Sequence, residues 1–329
     1  MKRVRFAPSP TGTLHIGNAL SAVANRRFGD WLLLRIDDTD PARNVSGGEE
    51  AILADLRWLG VDWDEGPVRQ SGRAERYREA AAQLGTDRFE GTTLLREDGA
   101  ATYQLATVVD DIDFGITHVV RGNDHRPNEP LHRRLHEALG TTPPEYVHHG
   151  LILGADGKKL SKRAEGATVA SLRDVGIPAE AVRAYLDELD LPRHDVHLDL
   201  ARIRRLAIEA IEAMTDDELA TWAEVDRQYV PVMRGARNRI EAREFAHQVQ
   251  EPQLIETSDV ETLTRYKELA DLAPKALLRE LKAAGGNLRA LRVALTGRVT
   301  GPELSAILAA LPKEEALRRV DQALQHAQP

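Results

Sequence analysis

One stretch near the start of the chain decides most of what can be built from it: Phe6-Ala7-Pro8-Ser9-Pro10-Thr11-Gly12-Thr13-Leu14-His15-Ile16-Gly17-Asn18. An apolar β-type run at residues 4–7 enters it and a helical pattern over residues 18–28 leaves it. Residues 31–36, WLLLRI, read as a second buried strand. Two prolines and two glycines hold the crossing open. Strand, phosphate-sized loop, helix and strand make the first half of a doubly wound nucleotide-binding fold, so the expected class is α/β with a parallel sheet. Bare amides at a helix N-terminus attract phosphate. Gly17 lets the backbone come close, and His15 can donate a ring N–H to a phosphate oxygen. On its own, H-x-G would describe a helix cap with a surface histidine equally well.

With 329 residues, two or three domains are expected. Apolar content of 42% and charged content of 29% fit a soluble globular protein. No signal-type apolar core stands at the N-terminus, and no run of about 18 apolar residues occurs, so neither secretion nor membrane insertion is expected. The absence of cysteine excludes disulfides and any cysteine-ligated zinc, and it fits the cytoplasm. A formal net charge of -8 argues against an indiscriminate nucleic-acid binder while leaving room for local basic patches.

Several clusters along the chain bear on chemistry. Asp37, Asp38 and Asp40 follow the second strand at the edge where open α/β sheets bind ligands, although an acidic loop capping a helix over residues 49–59 would look the same. Trp58 and Trp63 read as packing residues. Residues 116–120 form a clean strand ending in Arg121, which is placed for a bidentate grip on a carboxylate. Arg5, Tyr103 and Arg121 are read together at corresponding strand ends, Tyr103 as an aromatic wall with a hydroxyl handle. His132 and His136, and likewise His148 and His149, suggest a metal at first sight. No cysteine or carboxylate pattern completes a site, so they read as solvated helix histidines and no zinc is expected. Lys158, Lys159, Lys162 and Arg163 crowd a loop behind Gly157.

From residue 169 the pattern is helical, with Thr215-Asp216-Asp217-Glu218 forming a capping-box signature. Between residues 227 and 243, five arginines face one acid, Glu241; this is either a basic stripe or a solvated helix face. Leu288, Leu291, Val293, Leu295, Leu304, Ile307, Leu308 and Leu311 read as core.

The run PSPTGTLHIG resembles the first nucleotide-binding motif of the class I aminoacyl-tRNA synthetases in the form carried by the glutamyl-tRNA synthetase family. Residues 159–163, KLSKR, are similar to the second such motif. RWLGVDWDEG at residues 57–66, the Tyr103 to Asp111 run (YQLATVVDD) and Arg121-Gly122-Asn123-Asp124-His125 extend the resemblance, which is dense over residues 4–174 and thinner beyond. It implies a Rossmann-like catalytic domain followed by an all-α C-terminal half. The expected layout is residues 1–85 and 101–155 for the two catalytic halves and 86–100 for a remnant insertion. Residues 156–230 would hold the KLSKR loop and a helical connector, and 231–329 a helical anticodon-binding-type domain.

The implied activity is glutamate activation with ATP and Mg²⁺, followed by transfer to the 3′ end of tRNA, in a monomer. By the resemblance, His15, Lys159 and Lys162 are catalytic. ATP is bound by His15, Gly17, Asn18, Asp124, Lys159, Leu160, Ser161 and Lys162, with Lys159 and Lys162 on the β- and γ-phosphates. Arg5, Ala7, Ser9, Asp37, Tyr103, Thr107 and Arg121 form the glutamate pocket. Arg234, Arg237, Arg239 and Arg243 are weaker candidates for tRNA contact.

Three departures stand out. The family's R-I-E-D-T-D carries Asp37 in place of Glu, its R-G-E-D-H carries Asn123, and the inserted acceptor-end-binding domain shrinks to a segment that can form at most a hairpin. Two other readings therefore stay open: a stand-alone adenylate-forming ligase with a non-tRNA acceptor or another acid, and a catalytically silent tRNA-binding paralogue.

Overall fold

The first apolar run forms strand β1 (Arg3–Phe6), and the WLLLRI run forms β2 (Trp31–Ile36), parallel to it with Arg3 opposite Trp31. Between them lies helix α1 (Ile16–Phe28), whose Ile16, Ala19, Leu20 and Val23 are buried at helical spacing. Leu32, Leu33, Leu34 and Ile36 are all buried, the continuous apolar pattern of a strand covered on both faces. In this computed structural model, residues 1–158, 160, 164–252 and 259–326 are described. They fall into two units, residues 1–174 with 182–200 and residues 175–181 with 201–329.

In the first unit, α2 (Gly48–Trp58) leads to β3 (Glu65–Arg69), which pairs parallel with β2. Trp58 and Trp63 are both half-buried. After α3 (Ala74–Leu84) the chain makes a hairpin of β4 (Arg88–Phe89) and β5 (Thr92–Thr93). Its two turn residues, Glu90 at φ 48 and Gly91 at φ 80, both lie in the left-handed region, as the tightest hairpin turns require. α4 (Tyr103–Asp113) follows at once. Tyr103 is thus the first residue of a helix, not a strand-end residue; the β-branched pair Val108 and Val109 belongs to the buried face of that helix.

β6 (His118–Gly122), α5 (Glu129–Ala138) and β7 (Glu145–His149) come next, with β6 and β7 parallel. Thr117 donates its N–H to the Arg3 carbonyl at 2.9 Å and accepts from the Arg3 N–H at 2.9 Å, which seats β6 beside β1. Short β8 (Ile152–Leu153) is joined, past α6 (Val169–Asp174) and α7 (Ala179–Leu189, counted here from Val182), by parallel β9 (Val196–His197). This strand interrupts the region that reads as wholly helical. Two residues are too few for an alternating pattern, and the pairing depends on residues 44 positions earlier. The Asp195 carboxylate secures it by accepting from Leu151 N at 2.8 Å and Asn123 Nδ2 at 2.9 Å.

The second unit, as described, is helical: α8 (Leu200–Ala213), α9 (Asp216–Ala223), α10 (Val230–Met233), α11 (Arg239–Gln250), α12 (Val260–Leu269), α13 (Pro274–Ala283), α14 (Leu288–Thr296), α15 (Leu304–Ala310) and α16 (Lys313–His326). Thr215 and Glu218 make the full capping box at α9. Leu291, Leu295, Leu304, Ile307 and Leu311 are core, while Leu288, Val293 and Leu308 are half-buried.

Candidate active site

A cavity of about 560 Å³ opens where β1, β2 and β6 end, the edge at which such sheets bind ligands. Arg5, Ala7, Ser9, His15, Gly17, Asn18, Asp37, Tyr103, Arg121 and Asp124 all line it. Two expected members among the described residues do not. Leu160 is buried and meets the site only through its carbonyl, the acceptor for His15 Nε2. Thr107 lies fully buried behind the wall, where its hydroxyl accepts from Arg35 Nη2 at 3.4 Å.

His15 caps α1: its Nδ1 accepts from the Gly17 N–H at 3.2 Å. That fixes the proton on Nε2, which donates to the Leu160 carbonyl at 2.8 Å. The capping reading and the functional one therefore describe the same side chain, and its donor is spent on Leu160 until a ligand displaces it. Gly17 meets no crowding beyond the His15 ring, with a Cβ there 3.4 Å from Nδ1. Gly12, at φ +95, is the position in this loop that only glycine occupies without strain.

Arg121 is the sharpest feature. Its Nη1 and Nη2 atoms are buried without a hydrogen-bond partner. Nε donates to His148 Nε2 at 3.3 Å, and the Tyr146 ring lies 5.1 Å from Cζ. Burial, reinforced by Arg5, pulls its pKa below the ordinary arginine value. His148 is held neutral, pushed down to about 4 by burial and by Arg121, so its Nε2 is free to accept the hydrogen bond from Arg121 Nε; its Nδ1 lies 3.5 Å from Glu129 Oε2. A buried guanidinium with two unspent nitrogens is costly unless an anion completes it. The Tyr103 hydroxyl, 3.4 Å from His125 Nδ1, stays protonated because burial raises its pKa.

Beneath the cavity runs a network that the motif reading left out. Arg35, fully buried in β2, donates to Asp37 at 2.6 and 3.1 Å and to Asp111 at 3.2 Å. Arg5 also donates to Asp111 at 3.2 Å. Asp110 beside it accepts from Gln70, Arg73 and Tyr77. Burial raises the Asp37 pKa against the pull of Arg35, and the three carboxylates hold the Arg35 pKa well above its ordinary value. Asp37 thus faces the cavity with its carboxylate already shared with Arg35. An arginine inside a buried apolar strand was the sequence signal for this network, since such a charge needs partners.

The histidines correct the sequence reading. His132 and His136 are 1% and 2% exposed, and His148 and His149 lie on strand β7, not on a helix. His132 pairs with Gln104 at 2.6 Å and His136 with Thr141 at 3.2 Å. Burial pushes His132 down to about 3. Their i, i+4 spacing turns both rings toward the core because α5 packs that face on α4. The arginine stripe also changes meaning. Arg234 caps the last carbonyls of α8 and pairs with Asp216, Arg237 pairs with Glu241, Arg243 with Glu224 and Arg227 with Asp217. Three of the five arginines thus meet acids outside the counted window, and Arg237 meets Glu241 within it. Among the described residues, no group of three or more His, Asp or Glu could hold a metal ion. Lys159, Ser161 and Lys162 lie outside the described residues.

The profile of the family described as "tRNA synthetases class I (E and Q), catalytic domain" matches residues 1–89 and 84–202. The chain belongs to this family. The two matched segments of the E and Q synthetase domain overlap at residues 84–89, which include β4, the first strand of the hairpin. A second profile, "Anticodon binding domain", matches residues 275–324.

Among similar proteins, glutamate–tRNA ligase 1 of Rubrobacter xylanophilus is 33% identical, over 98% of this chain and 97% of its own length. Glutamate–tRNA ligase of Akkermansia muciniphila is 31% identical, over 97% and 98%. The Rubrobacter alignment runs for 421 positions although this chain has 329 residues, so the relative carries stretches that face nothing here. The crystal structure of a glutamate tRNA ligase from Elizabethkingia meningosepticum in complex with its amino acid shares the fold. Its TM-score is 0.81 at 22% identity, covering 99% of this chain and 100% of that one.

Proposed function

We propose that the protein activates glutamate with ATP and transfers it to the 3′ end of a tRNA, as a glutamate–tRNA ligase. The observation that carries the reading is Arg121, a buried guanidinium with both terminal nitrogens unpartnered, on the cavity wall it shares with Arg5 and Tyr103. Two arginines suit a substrate with two carboxylates, each arginine taking one. Membership of the E and Q synthetases and the anticodon-binding match support tRNA as acceptor over a small-molecule acceptor.

In this reading the α-carboxylate oxygen of glutamate attacks the α-phosphorus of ATP and pyrophosphate leaves. A ribose hydroxyl of the tRNA end then attacks the acyl carbon and AMP leaves. No covalent nucleophile is required of the protein; positioning and electrostatics supply the acceleration. His15 and the α1 N-terminus take the nucleotide, and Lys159 and Lys162 close on the departing pyrophosphate. Magnesium would accompany the nucleotide and neutralise charge on its phosphates.

Pyrophosphate exchange into ATP with glutamate, run with and without total tRNA, tests this directly. Exchange that requires both glutamate and tRNA is expected. Exchange without tRNA would favour the free-standing ligase, and no exchange with any amino acid would favour the silent paralogue.

A further inference from the structure

Asp55 takes no part in the cavity, yet it is fully buried on α2 among Ile52, Leu56 and Leu59. A carboxylate on the apolar face of a helix is costly unless several donors satisfy it. Oδ2 accepts from the Thr13 hydroxyl at 2.5 Å and the Leu14 N–H at 2.7 Å, both in the nucleotide-binding loop. Oδ1 accepts from Arg173 Nη1 at 2.9 Å, on α6, the first helix after the KLSKR segment. The Thr13 hydroxyl in turn accepts from the Ala170 N–H at 3.3 Å.

The two segments that Asp55 grips are also paired with each other. Ile16 N donates to the Ala167 carbonyl and Val169 N to the Leu14 carbonyl, both at 2.9 Å, and His15 meets Leu160. The start of α2 presses on the same loop: Val45 N donates to the Pro10 carbonyl at 2.9 Å, and a Cβ on Gly48 would lie 2.3 Å from that oxygen.

The geometry points to Asp55 as a positioning residue that fixes the first loop and the segment descending from the second, residues 164–173, to α2 as one unit. Without it, the two segments stay paired with each other but lose their shared anchor to the sheet layer. The nucleotide end of the cavity then loosens while the Arg5–Arg121 end, built on β1 and β6, does not. An asparagine cannot substitute. Its amide group would face either the Arg173 guanidinium or the Leu14 and Thr13 donors, leaving one side donor against donor. A buried ion pair serving stability alone would give no such division between the two ends.

Two measurements test the inference, which rests for its kinetic part on the proposed adenylation. In Asp55→Asn and Arg173→Gln, backbone hydrogen exchange at residues 13–17 and 164–173 should speed up about tenfold or more, with β2, α3 and the helical unit unchanged. In pyrophosphate exchange, the KM for ATP should rise about tenfold while that for glutamate stays within about twofold, and Arg173→Lys should restore much of the loss. Unchanged hydrogen exchange, a uniform rise across the chain, or equal shifts in both KM values would overturn the role. If the wild-type protein exchanges no pyrophosphate at all, the proposed function fails, and the hydrogen-exchange result still decides the role of Asp55.

Discussion

Replacing Arg121 by Met separates a binding arginine from a structural one, because the two roles predict opposite effects on stability. The guanidinium is about 5% exposed with Nη1 and Nη2 unpartnered, and Nε donates to His148. Removing it relieves a buried charge that, uncompensated, costs several kcal/mol. It also leaves His148 Nε2 without its donor, a loss of about 1–3 kcal/mol. The net effect on stability is therefore near zero or favourable. Binding behaves differently, because a buried charge-assisted pair with a carboxylate is lost, which costs about 2–5 kcal/mol. Taking about 3 kcal/mol, the glutamate KM rises about 10²-fold. Calorimetric unfolding and exchange kinetics on the same preparation make the comparison. A melting temperature several degrees lower with an unchanged glutamate KM would refute the reasoning and make Arg121 structural.

The other predictions rest on separate contacts. Arg35→Met should destabilise the first unit by about 3–5 kcal/mol, visible as loss of soluble protein, because Asp37, Asp110 and Asp111 lose their shared cation. Thr215→Ala removes the α9 capping box and should lower urea stability of the helical unit by about 1 kcal/mol; an unchanged midpoint would show the box to be redundant. His132 titrates at about 3 when folded, against 6.5 ordinarily, so the unfolded chain binds its proton first. Its contribution is complete above pH 6.5 and declines as pH falls toward 3. A His132→Phe variant should lose stability less steeply over that interval, as thermal melts between pH 7 and pH 4 would register.

How much of this was legible in the sequence depended on how local the determinant is. The strand–loop–helix–strand start was readable because β1, α1 and β2 are adjacent and each has a pronounced pattern. The cavity residues at the strand ends followed from the same logic. His132 and His136 were misread because two polar rings on one helix face look solvated until α4 supplies the surface that buries them. The arginines near residue 240 looked unopposed because Asp216, Asp217 and Glu224 approach through space. Tyr103 was grouped with Arg5 and Arg121 at strand ends, whereas it opens helix α4 and reaches the cavity from there. Asp55 gave no signal at all: one acid in a helix finds its three donors only when a loop 41 and 42 residues before it and a helix 118 residues after it fold onto it.

Charging of tRNA decides whether the glutamyl group reaches a terminal ribose. The protein is incubated with labelled glutamate, ATP, Mg²⁺ and total tRNA, and acid-precipitable label is counted beside a control in which periodate has destroyed the terminal ribose diol. Label should appear only with ATP and disappear with the oxidised tRNA. Label that survives periodate, or none in a preparation that does exchange pyrophosphate, would contradict transfer to the 3′ end and move the acceptor elsewhere.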